Sequence, residues 1–255
     1  MKNESIQQIK EKLNQISERE NPYLSELRQD ARAGVQKLLQ QFEKRIVKQE
    51  QLIAQYELMS QFEKNLITQG HRFIAGIDEV GRGPLAGPVV SAAVILPTNV
   101  QILGLNDSKQ LSHQKRAELF DQIQEQALAI GIGVVDHEEI DKVNIYQASR
   151  KAMTLAVHDL AIQPTHLLID AMALDLAIPQ DKIIKGDARS ISIAAASIVA
   201  KEFRDQLMVE YHKVYPYYGF NRNAGYGTKE HLAGLEKYGM TPIHRKTFGP
   251  VKKYL

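Results

Sequence analysis

At 255 residues, 44% of them hydrophobic, the chain can bury a sizeable core, and it carries neither a low-complexity tract nor an internal repeat. It has no cysteine, which excludes disulfides and thiolate metal sites, so any bound metal must take oxygen or imidazole ligands. Lys and Arg number 32 against 30 acids, too even a balance to indicate a polyanionic partner by itself, and no apolar run approaches the ~20 residues of a bilayer span, so a cytoplasmic protein without membrane contact is expected.

Residues 1–70 read as a helical extension. Ile6, Ile9, Leu13 and Ile16 recur at helical spacing, and Asn21-Pro22 forms an N-cap followed by proline at the first helical position. Leu24, Leu27, Ala31, Val35, Leu38, Leu39, Phe42 and Ile46 continue the period, and Tyr56, Met59, Glu63 and Leu66 predict a further helix ending near Gly70. Such a stripe ordinarily docks on a core, and no chemistry stands out in it.

From Arg72 the pattern is mixed. Strands are expected at Phe73–Asp78, Val89–Leu96, Ala129–Val135, His166–Asp170 and, more briefly, Asp181–Lys185, with helices at Ser112–Ala127 and Ile145–Leu160. A strand hairpin followed by alternating helices and strands predicts an α/β domain with a mixed sheet. Helices then follow at Ser190 to about Tyr211 and at Thr228–Tyr238, the latter with Thr228 as N-cap. Between them, Tyr215 to Gly227 reads as an exposed aromatic loop beside Arg222 and Asn221, a setting suited to holding bases or sugars. His244-Arg245-Lys246 and Lys252-Lys253 form a basic end that suits either phosphate contact or a solvated tail.

Candidate chemistry concentrates where strand, glycine turn and strand follow one another from Phe73 to Val90. Asp78 and Glu79 close the first strand, and Gly81, Gly83 and Gly87 leave backbone amides open to close approach. Asp170 closes the apolar run Leu167-Leu168-Ile169, where an unpaired carboxylate is costly, and Asp187 precedes a helix. Each has an ordinary explanation as well: a solvated turn for the pair, a cap for Asp170, a dipole partner for Asp187. Gathered together, four hard oxygen donors suit Mg²⁺ or Mn²⁺, two of which about 3.5–4 Å apart can activate water and stabilise the leaving oxygen of a phosphodiester. Neighbouring strand residues point to opposite faces, so Asp78 and Glu79 reach one ion only if the strand bends toward Gly81, or if Glu79 contributes through its carbonyl or a water.

The continuous string Asp78-Glu79-Val80-Gly81-Arg82-Gly83-Pro84-Leu85-Ala86-Gly87-Pro88-Val89 resembles the opening motif of the type 2 ribonucleases H, the ribonuclease HII family. Asp107-Ser108-Lys109, Ile169-Asp170-Ala171, Lys185-Gly186-Asp187-Ala188-Arg189-Ser190, Ala195 to Lys201 and Gly225-Tyr226-Gly227-Thr228 extend the resemblance, which covers Phe73 to about Phe248. It implies a ribonuclease H-like α/β fold, a mixed central sheet flanked by helices. The N-terminal helical extension at 1–70 lies outside the resemblance; a catalytic domain would occupy 71–215 and a C-terminal helical substrate-binding segment 216–255. The resemblance implies that Asp78, Glu79, Asp170 and Asp187 are the catalytic carboxylates, holding Mn²⁺ or Mg²⁺. The substrates implied are RNA/DNA hybrids and ribonucleotide-containing duplex DNA, as in ribonucleotide excision repair, cut to 3′-hydroxyl and 5′-phosphate ends. A monomer is expected.

The 2′-hydroxyl separates ribose from deoxyribose. Amides of Gly81, Arg82 and Gly83 would read it from one side and Tyr226 would border the sugar from the other, although Tyr226 also suits plain packing. Ser108, Lys109, Lys185, Arg189, Ser190 and Lys201 are candidate phosphate contacts. Type 3 ribonucleases H usually carry Gly-Lys-Gly at the turn, where this chain has Gly81-Arg82-Gly83. A dinucleotide-binding turn fails on spacing and on the strand that follows. A noncatalytic binder of hybrid duplex leaves the isolated carboxylates without a reason.

Overall fold

The computed structural model describes residues 4–255. Its contacts divide into two compact units, one reaching Glu57 and the other Leu58–Leu255. In the first, Ser5 caps α1 (Ile6–Gln15) through a capping box with Gln8, and Asn21 caps α2 (Pro22–Leu27) with Pro22 in its first turn. Ile9, Leu13, Leu24 and Leu27 close a core with Val35, Leu39, Phe42 and Ile46 of α3 (Ala33–Met59), whose last turn crosses the division between the units. The helical periodicity of the sequence is met in part: Ile6 stays exposed, Ala31 lies exposed in the break between α2 and α3, and Tyr56 and Met59, expected in the helix that ends near Gly70, belong to α3.

The second unit opens with α4 (Gln61–Thr68) and the hairpin β1 (Ile74–Val80) and β2 (Val89–Ile95). It continues through α5 (His113–Gln126), β3 (Ala129–Val135), α6 (His137–Val143), α7 (Ile145–His158), β4 (His166–Asp170) and β5 (Gln180–Ile183). Helices α8 (Ile191–Val214), α9 (Phe220–Asn223) and α10 (Lys229–Tyr238) complete it. The sheet has the order β3-β2-β1-β4-β5, antiparallel across β3, β2 and β1 and parallel across β1, β4 and β5. This is the mixed α/β sheet expected.

Alternation along β1 divides its residues between two layers. Ala75 and Ile77 pack with Met153 and Ala156 of α7, whereas Ile74 packs with Ile193 of α8. Helix α8 begins with ten buried residues, Ile191 to Ala200, so it is apolar all round and runs through the interior. It lies so close to the sheet that a Cβ at Gly76 would stand 2.0 Å from the Ser192 carbonyl carbon.

Several expectations change. β1 does not stop at Asp78 but continues in register with β2 through Val80. Helix α6, unread in the sequence, is signalled by Asp136, whose side chain accepts the Glu139 amide. The 215–227 stretch is not an exposed loop throughout: Tyr218 and Phe220 are buried with Leu85, Met208, Leu235 and Ile243, leaving Tyr217 and Tyr226 exposed. The basic end is divided: Lys246, Lys252 and Lys253 are exposed, whereas His244 and Arg245 are buried. The apolar residues spaced around them, Ile243, Phe248 and Val251, carry this segment into the core.

Gly76→Ala should lower stability by about 1–3 kcal/mol, because the added methyl meets helix backbone that can yield only by moving α8. Chemical denaturation checks this through a fall in the midpoint at unchanged slope.

Candidate active site

The parallel pairing of β1 with β4 sets Ile77 opposite Ile169. The next residue on each strand is an aspartate, so Asp78 and Asp170 end up side by side, one strand spacing of about 4.8 Å apart. Ile77 and Ile169 both pack toward α7, so both aspartates fall on the opposite, α8 face. Asp170 Oδ1 accepts the Gly186 amide at 2.7 Å, which anchors the 3₁₀ turn Gly186–Ala188 and brings Asp187 alongside. Lys185 makes this possible by adopting the left-handed conformation, φ 55°, immediately before the turn.

Glu79 is differently held. The ladder with β2 is unbroken at Glu79 and Val80, so the chain does not bend between the two acids; it turns at Gly81, φ +96°. Of the routes open to Glu79 in the sequence, a bend between the acids is therefore removed. Its carboxylate pairs with the Arg82 guanidinium at 3.5 Å, and its Oε2 is buried without a hydrogen-bond partner.

The electrostatics follow from this crowding. Burial, then the charges of Glu79 and Asp170, push Asp78 well above the ordinary carboxylate range, against hydrogen bonds from the Ser197 hydroxyl and the Glu79 amide. Glu79 is pushed up to about 7 by burial and by Asp170, while Arg82 and Lys109 pull the other way. Asp187 is raised by burial, Asp107 and Asp170. Lys109 is shared among them: burial opposes its charge, but Asp78, Asp107 and Asp187 hold it protonated. Among the described residues, no three acid, imidazole or thiol groups already stand close enough to enclose a metal ion. The donor chemistry nevertheless suits a hard cation: all oxygen, mutually repelling, with the buried Glu79 Oε2 unsatisfied.

Tyr226 borders the glycine turn, since a Cβ on Gly83 would lie 3.1 Å from its ring. Its carbonyl receives Nδ1 of His231, whose Nε2 meets His244 Nε2 at 2.9 Å. The Thr241 amide donates to His244 Nδ1, so one neutral tautomer runs consistently along the chain to Tyr226. Burial lowers both imidazoles, His244 to about 4 with the help of His231.

The predicted phosphate contacts fare unequally. Arg82, Gly83, Lys109 and Lys185 are exposed near the acids or on the anchored turn. Ser190 is buried: its hydroxyl accepts the Ile193 amide as N-cap of α8 and donates to Glu63 at 2.6 Å, which removes it as a phosphate seat. Ser108 is buried too, its hydroxyl 2.9 Å from that of Ser197, which in turn hydrogen-bonds Asp78. Arg189 lies over the Phe62 ring and Lys201 pairs with Asp205 at 2.5 Å. The sequence reading missed Asp107, the first residue of a motif it singled out, and Glu63, whose carboxylate looked like one more position of a helical stripe.

A mixed sheet of this order, with aspartates side by side on adjacent parallel strands next to a glycine turn, is that of the ribonuclease H-like nucleases. Residues 75–251 match the Ribonuclease HII family, and residues 5–67 match the Ribonuclease HII N-terminal domain. A Ribonuclease HII of Enterococcus faecalis is 60% identical over 252 residues, 99% of either chain. The crystal structure of ribonuclease H2 from Pyrococcus horikoshii superposes with a TM-score of 0.64 at 27% identity, over 71% of this chain and 96% of that one. Bst-RNase HIII in complex with Mn²⁺ shares the fold, with a TM-score of 0.55 at 20% identity over 72% of this chain and 69% of that one. The chain belongs to the ribonuclease HII family. It is a metal-dependent nuclease that hydrolyses RNA paired with DNA.

Glu79→Gln should raise thermal stability, measured in chelator, most at pH 8. A carboxyl at about 7 in the fold and near 4.5 unfolded takes up its proton on folding, so wild-type stability is lost as pH rises through 7. The uncharged amide escapes this loss, and its advantage should shrink as pH falls toward 4.5.

Proposed function

We propose that this ribonuclease H also incises duplex DNA on the 5′ side of a single embedded ribonucleotide, leaving 3′-hydroxyl and 5′-phosphate ends. Asp78, Glu79, Asp170 and Asp187 would hold its divalent ions, two of them, Mn²⁺ or Mg²⁺. When bound, such ions supply water activation and stabilise charge on the leaving oxygen. The residues of the chain bind and orient. Lys109 offers a cation to the phosphate, Arg82 and Gly83 offer amides to the sugar, and Tyr226 in the 216–255 segment closes the sugar site from the far side. The 2′-hydroxyl is read and takes no part as nucleophile.

One observation carries this reading: the charge of Lys109 is held by Asp78 and Asp187 and also feels the Tyr226 phenol, while the Tyr226 ring lies against Gly83. A surface able to test one sugar thus adjoins the acids.

Duplex DNA containing one ribonucleotide, incubated with Mg²⁺, with Mn²⁺ and with chelator, should be nicked 5′ of that nucleotide in either metal and left intact in chelator or by Asp78→Asn. Cleavage confined to long RNA/DNA hybrids would reject the proposal. Tyr226→Ala, which removes an exposed ring, should slow single-ribonucleotide cleavage at least about tenfold, by the loss of one sugar contact, while shifting the melting temperature little.

A further inference from the structure

Beneath the glycine turn lie two buried arginines, Arg204 and Arg245, and neither forms an ion pair with a carboxylate among the described residues. Their guanidinium groups are satisfied by main-chain oxygens. Arg204 donates from Nε to Pro88 at 2.9 Å, from Nη1 to Ala224 at 2.8 Å and from Nη2 to Ala86 at 3.2 Å. Arg245 donates from Nε to Gly87 at 2.9 Å, from Nη1 to Arg82 at 3.0 Å and from Nη2 to Gly81 at 2.6 Å. Its own amide bonds the Leu85 carbonyl at 2.8 Å. Burial, and for Arg245 the neighbouring Arg204, lowers them to about 10 and about 9, so both stay cationic at neutral pH.

The two carbonyls on the Nη atoms of Arg245 are consecutive. A trans peptide is planar, with C=O and N–H pointing in opposite directions. Turning the Gly81 carbonyl inward therefore turns the Arg82 N–H outward, and turning the Arg82 carbonyl inward does the same for the Gly83 N–H. Both residues are exposed, and among the described residues neither amide donates to a protein acceptor. Gly81 permits this course with φ +96°, and a Cβ there would stand 2.3 Å from Arg204 Nε. Bonding a cation to a carbonyl also polarises the same peptide, strengthening its N–H as a donor.

From this geometry we infer that Arg245 is a positioning residue for sugar recognition, aiming the Arg82 and Gly83 amides together at the 2′-oxygen of the ribonucleotide. The inference rests on the single-ribonucleotide reading proposed above. Lysine at this position keeps the charge but is a point donor that cannot match the planar fork across two successive carbonyls. A ligand lacking the 2′-hydroxyl leaves the paired amides unsatisfied, which is how a site built for a hydroxyl rejects its absence.

The test is a double-mutant cycle between Arg245 and the 2′ substituent, read in single-turnover cleavage with Mn²⁺ and enzyme in excess. The substrates are one duplex bearing a single ribonucleotide and the same duplex bearing its 2′-fluoro analogue. In wild type the fluorine should impose a large rate penalty. In Arg245→Lys that penalty should shrink about tenfold or more, with a cooperative melt retained and affinity for the all-DNA duplex unchanged within about twofold. A folded Arg245→Lys with the wild-type penalty would overturn the inference. Should this variant not fold, semisynthetic replacement of Gly83 by glycolate, which deletes the N–H and leaves Arg245 in place, decides in the same way: a reduced penalty supports the inference and an unchanged one overturns it. Wild type failing to nick the single-ribonucleotide duplex would instead defeat the reading beneath it.

Discussion

Two parallel strands pair as far as Ile77 and Ile169, and the next residue on each is an aspartate. The register of β1 against β4 places Asp78 beside Asp170 whatever their charges prefer, because slipping by one residue would send Ile77 and Ile169 out of the layer they share with α7. Hydrophobic packing along the strands thus holds like charges together at the next position. Burial adds to the repulsion instead of relieving it. The fold carries an electrostatic cost at one place, and a divalent cation is the partner that would offset it. The other features of the site follow: α8 approaching over Gly76 brings Ser197 to Asp78, and the Gly186 amide on Asp170 brings Asp187 in.

The turn above these acids is held by a second device of opposite sign. Six main-chain carbonyls between Gly81 and Ala224 are collected by two guanidinium groups. A loop of small residues has little side-chain packing to define it, so its shape is imposed from below by groups from α8 and from the C-terminal segment. The glycines supply permission and the arginines supply the conformation. Anionic side chains and cationic supports lie close together without neutralising each other through direct pairing, apart from Arg82 with Glu79. That leaves the acids for metal and the amides for sugar.

Much of this was legible because the signals were local. Strand and helix positions in the sheet layer followed from periodicity and caps: Thr228 caps its helix as read, the helices expected from Ser112 and Ser190 begin one residue later with those serines as caps, and β3 and β4 fall on the residues expected. The motif string from Asp78 to Val89 identified the family. What failed was judgement of environment. Ser190 and Ser108 are buried in hydrogen bonds to Glu63 and Ser197, more than a hundred and nearly ninety residues away. His244-Arg245, a basic run by composition, is core because Ile243, Phe248 and Val251 around it are apolar.

Sequence alone determined the kind of chemistry: carboxylates without cysteine, a glycine turn with open amides, and the strands that carry them, since residue type and short-range periodicity are properties of neighbours along the chain. Tertiary structure alone decided which acids meet, how far Glu79 is buried beside Arg82, and which of two similar arginines faces solvent. Arg82 and Arg245 are alike as letters. One stands exposed over the acids and the other lies fully buried under the turn, because burial and strand pairing join residues distant in the chain, and a charge is only as costly or as useful as the groups that packing sets against it.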